Sequence, residues 1–173
     1  MAGGEFEYLT VEDILTLHET ILQTDDSTEP GVRSRGDVQY AVSTVREGHF
    51  GEGPDTVHEN AAQYLRLMTA NHPFVDGNKR TALVSTVAFY ALNGYSLDYG
   101  SEIRSLLKRL ATDESTVPLR DIVEYLAANT TELPPETQAR YDEILSIASR
   151  HTLRRNDYTD EERTDHNDGN RRD

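Results

Sequence analysis

Apolar residues recur at helical spacing through most of the chain. Ile14, Leu15, Ile21 and Leu22 share one face behind Thr10, which is placed to cap a helix whose first turn carries Glu12 and Asp13. The stretch 23–36 is rich in Asp, Ser, Pro and Gly and breaks the pattern as a loop. Asp37 then opens a second short helix that ends near Gly48. After a further loop at 49–54, Val57, Ala61, Leu65 and Met68 mark a third helix over 55–70. Residues 82–92 form the most apolar run, predicting a buried central helix that stops at Asn93-Gly94. A short extended segment is expected at 95–99 and further helices at 102–111 and 119–128, the last preceded by Pro118 and carrying Asp121 in its first turn. Residues 136–149, with Tyr141, Ile144, Leu145 and Ala148, read as a final amphipathic helix. From Thr152 onward the residues are almost all charged or polar, and this tail is expected to be disordered. The pattern as a whole predicts an all-α fold, a helical bundle with 82–92 at its centre.

Between the third helix and the apolar run lies the most distinctive segment, residues 72–80, HPFVDGNKR. If a helix begins near Asn78, Gly77 supplies a tight turn, and the amides that follow, at the positive end of the helix dipole, make a nest for phosphate oxygens. Asn78 is placed to cap or orient that turn. Lys79 and Arg80 add positive charge, and an arginine fork grips two phosphate oxygens at once. Asp76 is a hard oxygen ligand suited to Mg²⁺, which binds through one or two carboxylates plus substrate phosphates. His72 is a natural general base for an attacking hydroxyl. Each residue taken singly has an ordinary structural explanation, and Phe74 is expected in the core. A base, a metal ligand, a glycine turn, an amide and two cations within nine residues together specify phosphate chemistry.

Composition narrows this further. No cysteine occurs among the 173 residues, which excludes disulfides, thiolate metal sites and a cysteine nucleophile. The formal charge is -14 and, of 17 lysines and arginines, only Lys79 and Lys108 are lysines. Such acidity resembles that of proteins from salt-loving organisms, whose carboxylates stay hydrated while salt screens their repulsion. It also disfavours nucleic acid as a ligand, since backbone binding relies on basic residues displacing counterions. The apolar run is too short and too hydroxylated to span a bilayer, and no basic segment precedes an apolar stretch at the start, so no membrane association and a cytoplasmic location are expected. His49, His58, His151 and His166 show no metal-ligand spacing and are expected at surface or loop positions.

The nine-residue segment resembles the core motif of the Fic/Doc (Fido) family, H-x-F-x-(D/E)-G-N-(G/K)-R, at every specified position. The resemblance implies an all-helical fold over residues 8–128 with the active-site loop between two central helices. Residues 134–150 would then be an added C-terminal helix, and 152–173 a polar tail. It also implies transfer of a phosphate-containing group from ATP with Mg²⁺ to a hydroxyl of a target protein. On that reading His72 is the base, Asp76 holds Mg²⁺, and Gly77, Asn78, Lys79 and Arg80 hold phosphates. AMP-transferring members have glycine where Lys79 stands and a second arginine where Leu83 stands. Both departures, together with Leu17-His18, Gly31-Val32-Arg33, DGNKRTAL and NGY, resemble the death-on-curing (Doc) branch. That branch implies a toxin that passes the γ-phosphoryl group of ATP to a protein of the translation machinery and is restrained by an antitoxin. A lysine at 79 fills space where glycine would let a diphosphate lie against the backbone, so the nucleotide binds reversed, with its γ-phosphate toward His72. Two alternatives stand beside this: an AMP-transferase, and a catalytically idle module that keeps the phosphate nest for binding. Residues 43–48 fit the pattern (S/T)-x-x-x-E-(G/N) of an inhibitory helix, but Leu83 replaces the arginine its glutamate would grip. The simpler reading is a surface glutamate beside a helix-ending glycine.

Overall fold

In the computed structural model the described residues are 6–48 and 54–140. Six α-helices form the frame: α1 (Val11–Thr24), α2 (Arg35–Glu47), α3 (Val57–Ala70), α4 (Asn78–Leu92), α5 (Glu102–Thr112) and α6 (Leu119–Ala128). The fold is all-α in class, with two minor strands. β1 (Tyr95–Leu97) pairs antiparallel with β2 (Thr130–Glu132), Ser96 opposite Thr131, and a 3₁₀ turn (Glu114–Thr116) joins α5 to α6. The extended segment expected after Asn93-Gly94 is therefore present as β1. Its partner strand and the 3₁₀ turn carry no period long enough to read in sequence.

Local chemistry sets the helix starts. Thr10 and Thr56 each accept from the backbone N–H three residues on, and Asp13 and Glu59 reach back to complete capping boxes. Ser34, rather than Asp37, caps α2: its hydroxyl accepts from the Asp37 N–H at 3.1 Å, so the helix starts two residues earlier than the acidic residue indicated. At the other end Gly48 closes α2 with φ +74, and Glu47 is exposed, which fits the simple reading of residues 43–48.

Helix α3 is the hub, packing on α2, α4, α5 and α6. It buries Val57, Ala61, Ala62, Tyr64, Leu65 and Met68. Helix α4, which contains the apolar run 82–92, lies against α1, α3 and β1, yet Val84 is 37% exposed and Leu83 only partly buried. Its inner face is largely hydroxylated, with Thr81, Ser85 and Thr86 buried beside Ala82, Phe89 and Tyr90. Centrality thus belongs to the α3–α4 pair, and apolar content overstated the burial of α4. His58 corrects another expectation: it sits half-buried on α3, and its Nδ1 lies 2.8 Å from the Tyr90 hydroxyl. His49, His151 and His166 lie outside the described residues.

The chain divides after Leu133. Of the second unit, the described residues 134–140 become helical at 135. Residues 141–173, including most of the helix expected over 136–149 and the polar tail, lie outside the described residues. No described helix is long and apolar enough to cross a membrane.

Candidate active site

Residues 71–77 connect α3 to α4, and their shape is imposed by backbone geometry at both ends. His72 sits in the left-handed region at φ +49, a conformation that costs about 1–3 kcal/mol outside glycine and is tolerated where surrounding contacts enforce it. Gly77 is left-handed too, at φ +77, and is the N-cap of α4. Between them Phe74 is fully buried and forms an isolated antiparallel bridge with Val32 of the α1–α2 connection. Arg33 and Ser34 donate backbone N–H groups to the Pro73 carbonyl at 2.8 and 3.1 Å, and Val75 donates to Gly31 at 2.9 Å. The loop is therefore held along its length by the segment that precedes α2.

Asn78 orients the turn from inside the helix start. Its side-chain oxygen accepts from the Phe74 N–H at 2.9 Å, and its amide nitrogen donates to the Phe74 carbonyl at 3.0 Å. Phe74 in turn stacks on His18 of α1, ring centroids 3.8 Å apart and 9° from parallel. The His18 Nδ1 lies 2.9 Å from the Thr81 hydroxyl, and its buried Nε2 has no hydrogen-bond partner among the described residues. Burial holds the His18 imidazole below its ordinary pKa, with Arg80 adding to the effect and Glu19 and Asp76 opposing it. The neutral ring thus forms the floor beneath Phe74 and Gly77.

The functional groups face outward from this floor. Nε2 of His72 lies 3.0 Å from the carbonyl oxygen of Ala111, near the end of α5. A carbonyl only accepts, so Nε2 is the donor, and in the tautomer this contact selects the lone pair lies on Nδ1. The Asp76 carboxylate accepts from the Gly77 N–H at 2.6 Å and from the Glu29 N–H at 3.3 Å, and these bonds hold it below the usual carboxylate range. Unlike α1, α2 and α3, helix α4 has no side-chain cap, so its first amides remain available to an anion at the positive end of the dipole. Lys79 is exposed and makes no hydrogen bond or ion pair among the described residues, whereas Arg80 donates to Asp25 and Thr28, each at 2.6 Å.

The structure brings His72, Asp76, Gly77, Asn78, Lys79 and Arg80 together within one loop and the first turn of α4. It adds Asp25, Thr28 and Glu29, which the sequence reading did not single out, and gives a place to His18, named there only within a Doc-like pair. His18 was detectable, since position 18 falls between Ile14 and Ile21 on the apolar face of α1. Asp25, Thr28 and Glu29 lie in an aperiodic acidic stretch where pairing across more than 45 residues leaves no local signal.

A histidine, a carboxylate and a helix start without a side-chain cap thus lie together between α3 and α4 of an all-α frame. The chain belongs to the Fic/DOC family, whose model matches residues 8–90. It is 34% identical over 92 residues to Toxin Doc of Mycolicibacterium smegmatis, covering 53% of this chain and 68% of that protein. It is 28% identical over 110 residues to Protein kinase doc of Escherichia phage P1, covering 64% of this chain and 86% of that protein.

Proposed function

We propose that this protein is a Doc-like toxin that transfers the γ-phosphoryl group of ATP to a hydroxyl of a target protein in the cytoplasm, where a cognate antitoxin restrains it. The observation that carries this reading is the pairing of an uncapped α4 start with a His72 ring whose Nε2 is committed to Ala111. Phosphoryl transfer asks little covalent chemistry of a protein and much positioning, and the helix start supplies fixed donors. Nδ1 of His72 accepts the proton of the attacking hydroxyl, the Ala111 carbonyl holding the ring in the tautomer that permits it. General-base catalysis of this kind contributes on the order of 10²- to 10⁴-fold.

Asp76 suits Mg²⁺. It is ionised, its two oxygens keep lone pairs beyond the two amide bonds they accept, and the remaining ligands would come from phosphates and water. When bound, Mg²⁺ would neutralise charge on the phosphates. Gly77 shapes the turn that opens the site, and the backbone of Asn78 with the side chains of Lys79 and Arg80 receives the phosphate oxygens. Lys79 favours γ over α transfer because its side chain occupies the space that a diphosphate would need against the backbone. The names borne by the relatives, a toxin and a protein kinase, support the same reading.

The test is label from γ-³²P-ATP appearing on a protein in cell extract, with wild type and His72→Ala compared at matched folding. Incorporation is expected from wild type and at least 100-fold less from the variant. Undiminished incorporation by a folded His72→Ala protein rules the base assignment out.

A further inference from the structure

The α1–α2 connection contributes more than backbone support. Arg80 donates from one terminal nitrogen to Asp25 Oδ2 and from the other to the Thr28 hydroxyl oxygen, both at 2.6 Å. The Thr28 backbone N–H donates to the Asp25 carbonyl at 3.0 Å, and the other Asp25 carboxylate oxygen accepts from the Ser27 N–H at 3.0 Å and from its hydroxyl. Thr28 is 6% exposed, and its methyl group lies 3.4 Å from where a Cβ on Gly77 would stand. One residue further on, the Glu29 N–H reaches Asp76. A five-residue segment therefore touches the arginine, the carboxylate and the turn glycine at once.

As a stabilising ion pair this contact is poor, because the Arg80 and Asp25 side chains are 43% and 41% exposed and such pairs contribute little. Its geometry is more informative. Each terminal nitrogen of the guanidinium spends one N–H on the α1–α2 connection, while the second N–H of each and Nε–H have no partner among the described residues. A guanidinium can be gripped from two sides, and holding one presents the other in a fixed plane.

We infer that Asp25 and Thr28 are positioning residues: they clamp the terminal end of the Arg80 fork so that its remaining N–H donors are fixed for a phosphate at the start of α4. This rests on the nucleotide reading of that helix start. The clamp runs against simple charge balance, because Asp25 places a carboxylate close to an anion site. An unhelpful neighbour would weaken binding of MgATP and its removal would strengthen it. A clamp predicts the opposite sign.

The experiment is calorimetric titration of MgATP into the full chain, as wild type, Asp25→Asn, Thr28→Val, Thr28→Ser, Arg80→Ala and Asp25→Asn/Arg80→Ala, each checked for an unchanged melting curve. Asp25→Asn and Thr28→Val should each weaken binding roughly three- to tenfold, the scale of one exposed charge-assisted hydrogen bond. Thr28→Ser, which keeps the hydroxyl, should stay within about twofold of wild type. In the Arg80→Ala background Asp25→Asn should no longer weaken binding, because its effect passes through the arginine. Tighter or equal binding by Asp25→Asn overturns the inference, as does a penalty that persists undiminished without Arg80. If Arg80→Ala itself binds MgATP like wild type, the nucleotide reading of the α4 start fails, and the clamp with it.

Discussion

Substitution of Asn78 separates the folding role of the loop between α3 and α4 from its charge. The Asn78 carboxamide makes two hydrogen bonds to the backbone of Phe74, at 2.9 and 3.0 Å, across a loop whose Phe74 is fully buried. Asn78→Ala removes both and leaves a buried N–H and C=O without those partners. At about 1 kcal/mol for each bond, with a further share for lost satisfaction, the cost is about 2–3 kcal/mol. That corresponds to a fall in melting temperature of about 10 °C for a domain of this size. Asn78→Asp behaves differently. One carboxylate oxygen still accepts from Phe74 N–H, the second now opposes the Phe74 carbonyl, and a negative charge in the first turn of α4 recovers about 0.3–1 kcal/mol from the helix dipole. Asn78→Asp should therefore be more stable than Asn78→Ala but less active, because its charge sits at the proposed phosphate site. Urea unfolding gives the first order and γ-phosphoryl transfer the second. If the two variants rank the same way in both assays, or if Asn78→Ala unfolds within about 0.5 kcal/mol of wild type, the stapling account is wrong.

Three further outcomes follow from the same geometry. Gly77→Ala should fold with a loss of about 1–2 kcal/mol from its left-handed φ, since a Cβ there meets Thr28 and His18 only at 3.4 and 3.5 Å. Chemical denaturation measures it, and a stabilised variant would contradict the geometry. Because burial lowers the His18 pKa, the unfolded chain takes up a proton first as pH falls. His18 therefore contributes its full share of stability above its ordinary pKa of about 6.5, and that share is lost as pH drops from there through the lowered folded value. Melting temperature against pH should be flatter for His18→Asn over that window, His58 accounting for part of the remaining slope. With a formal charge of -14, the protein should melt at lower temperature in dilute buffer than in molar KCl, and equal melting curves would remove the case for salt dependence.

Where the sequence carried period and caps, it specified the helices closely. The start of α4 at Asn78 and the span of α6 match the reading from residues alone, and the helix boundary at Gly48 follows from its conformation. The short strands were only half legible: β1 followed a clear stop signal, but β2 is three residues with no apolar alternation. The burial of α4 was overestimated because Leu83, Val84 and Val87 are apolar yet only partly buried or exposed, while Thr81, Ser85 and Thr86 fill its inner face. At the site, the residues carrying local chemistry all lie in one contiguous segment and could be read directly. Their supports could not. Asp25, Thr28, Glu29 and the Ala111 carbonyl reach the loop only through the fold, and a backbone carbonyl leaves no trace in residue type.

In the proposed reaction this loop moves the terminal phosphoryl group, and the choice of that group over AMP comes from Lys79 and from Leu83 standing where a second arginine would be. The most direct measurement incubates the purified full chain in high salt with cell extract and ATP labelled at either the α or the γ phosphate, and follows label on protein. Label from the γ position alone is the predicted result. Label from the α position would show AMP transfer and contradict the account, and label from neither would leave the helix start as a site that binds phosphate without transferring it.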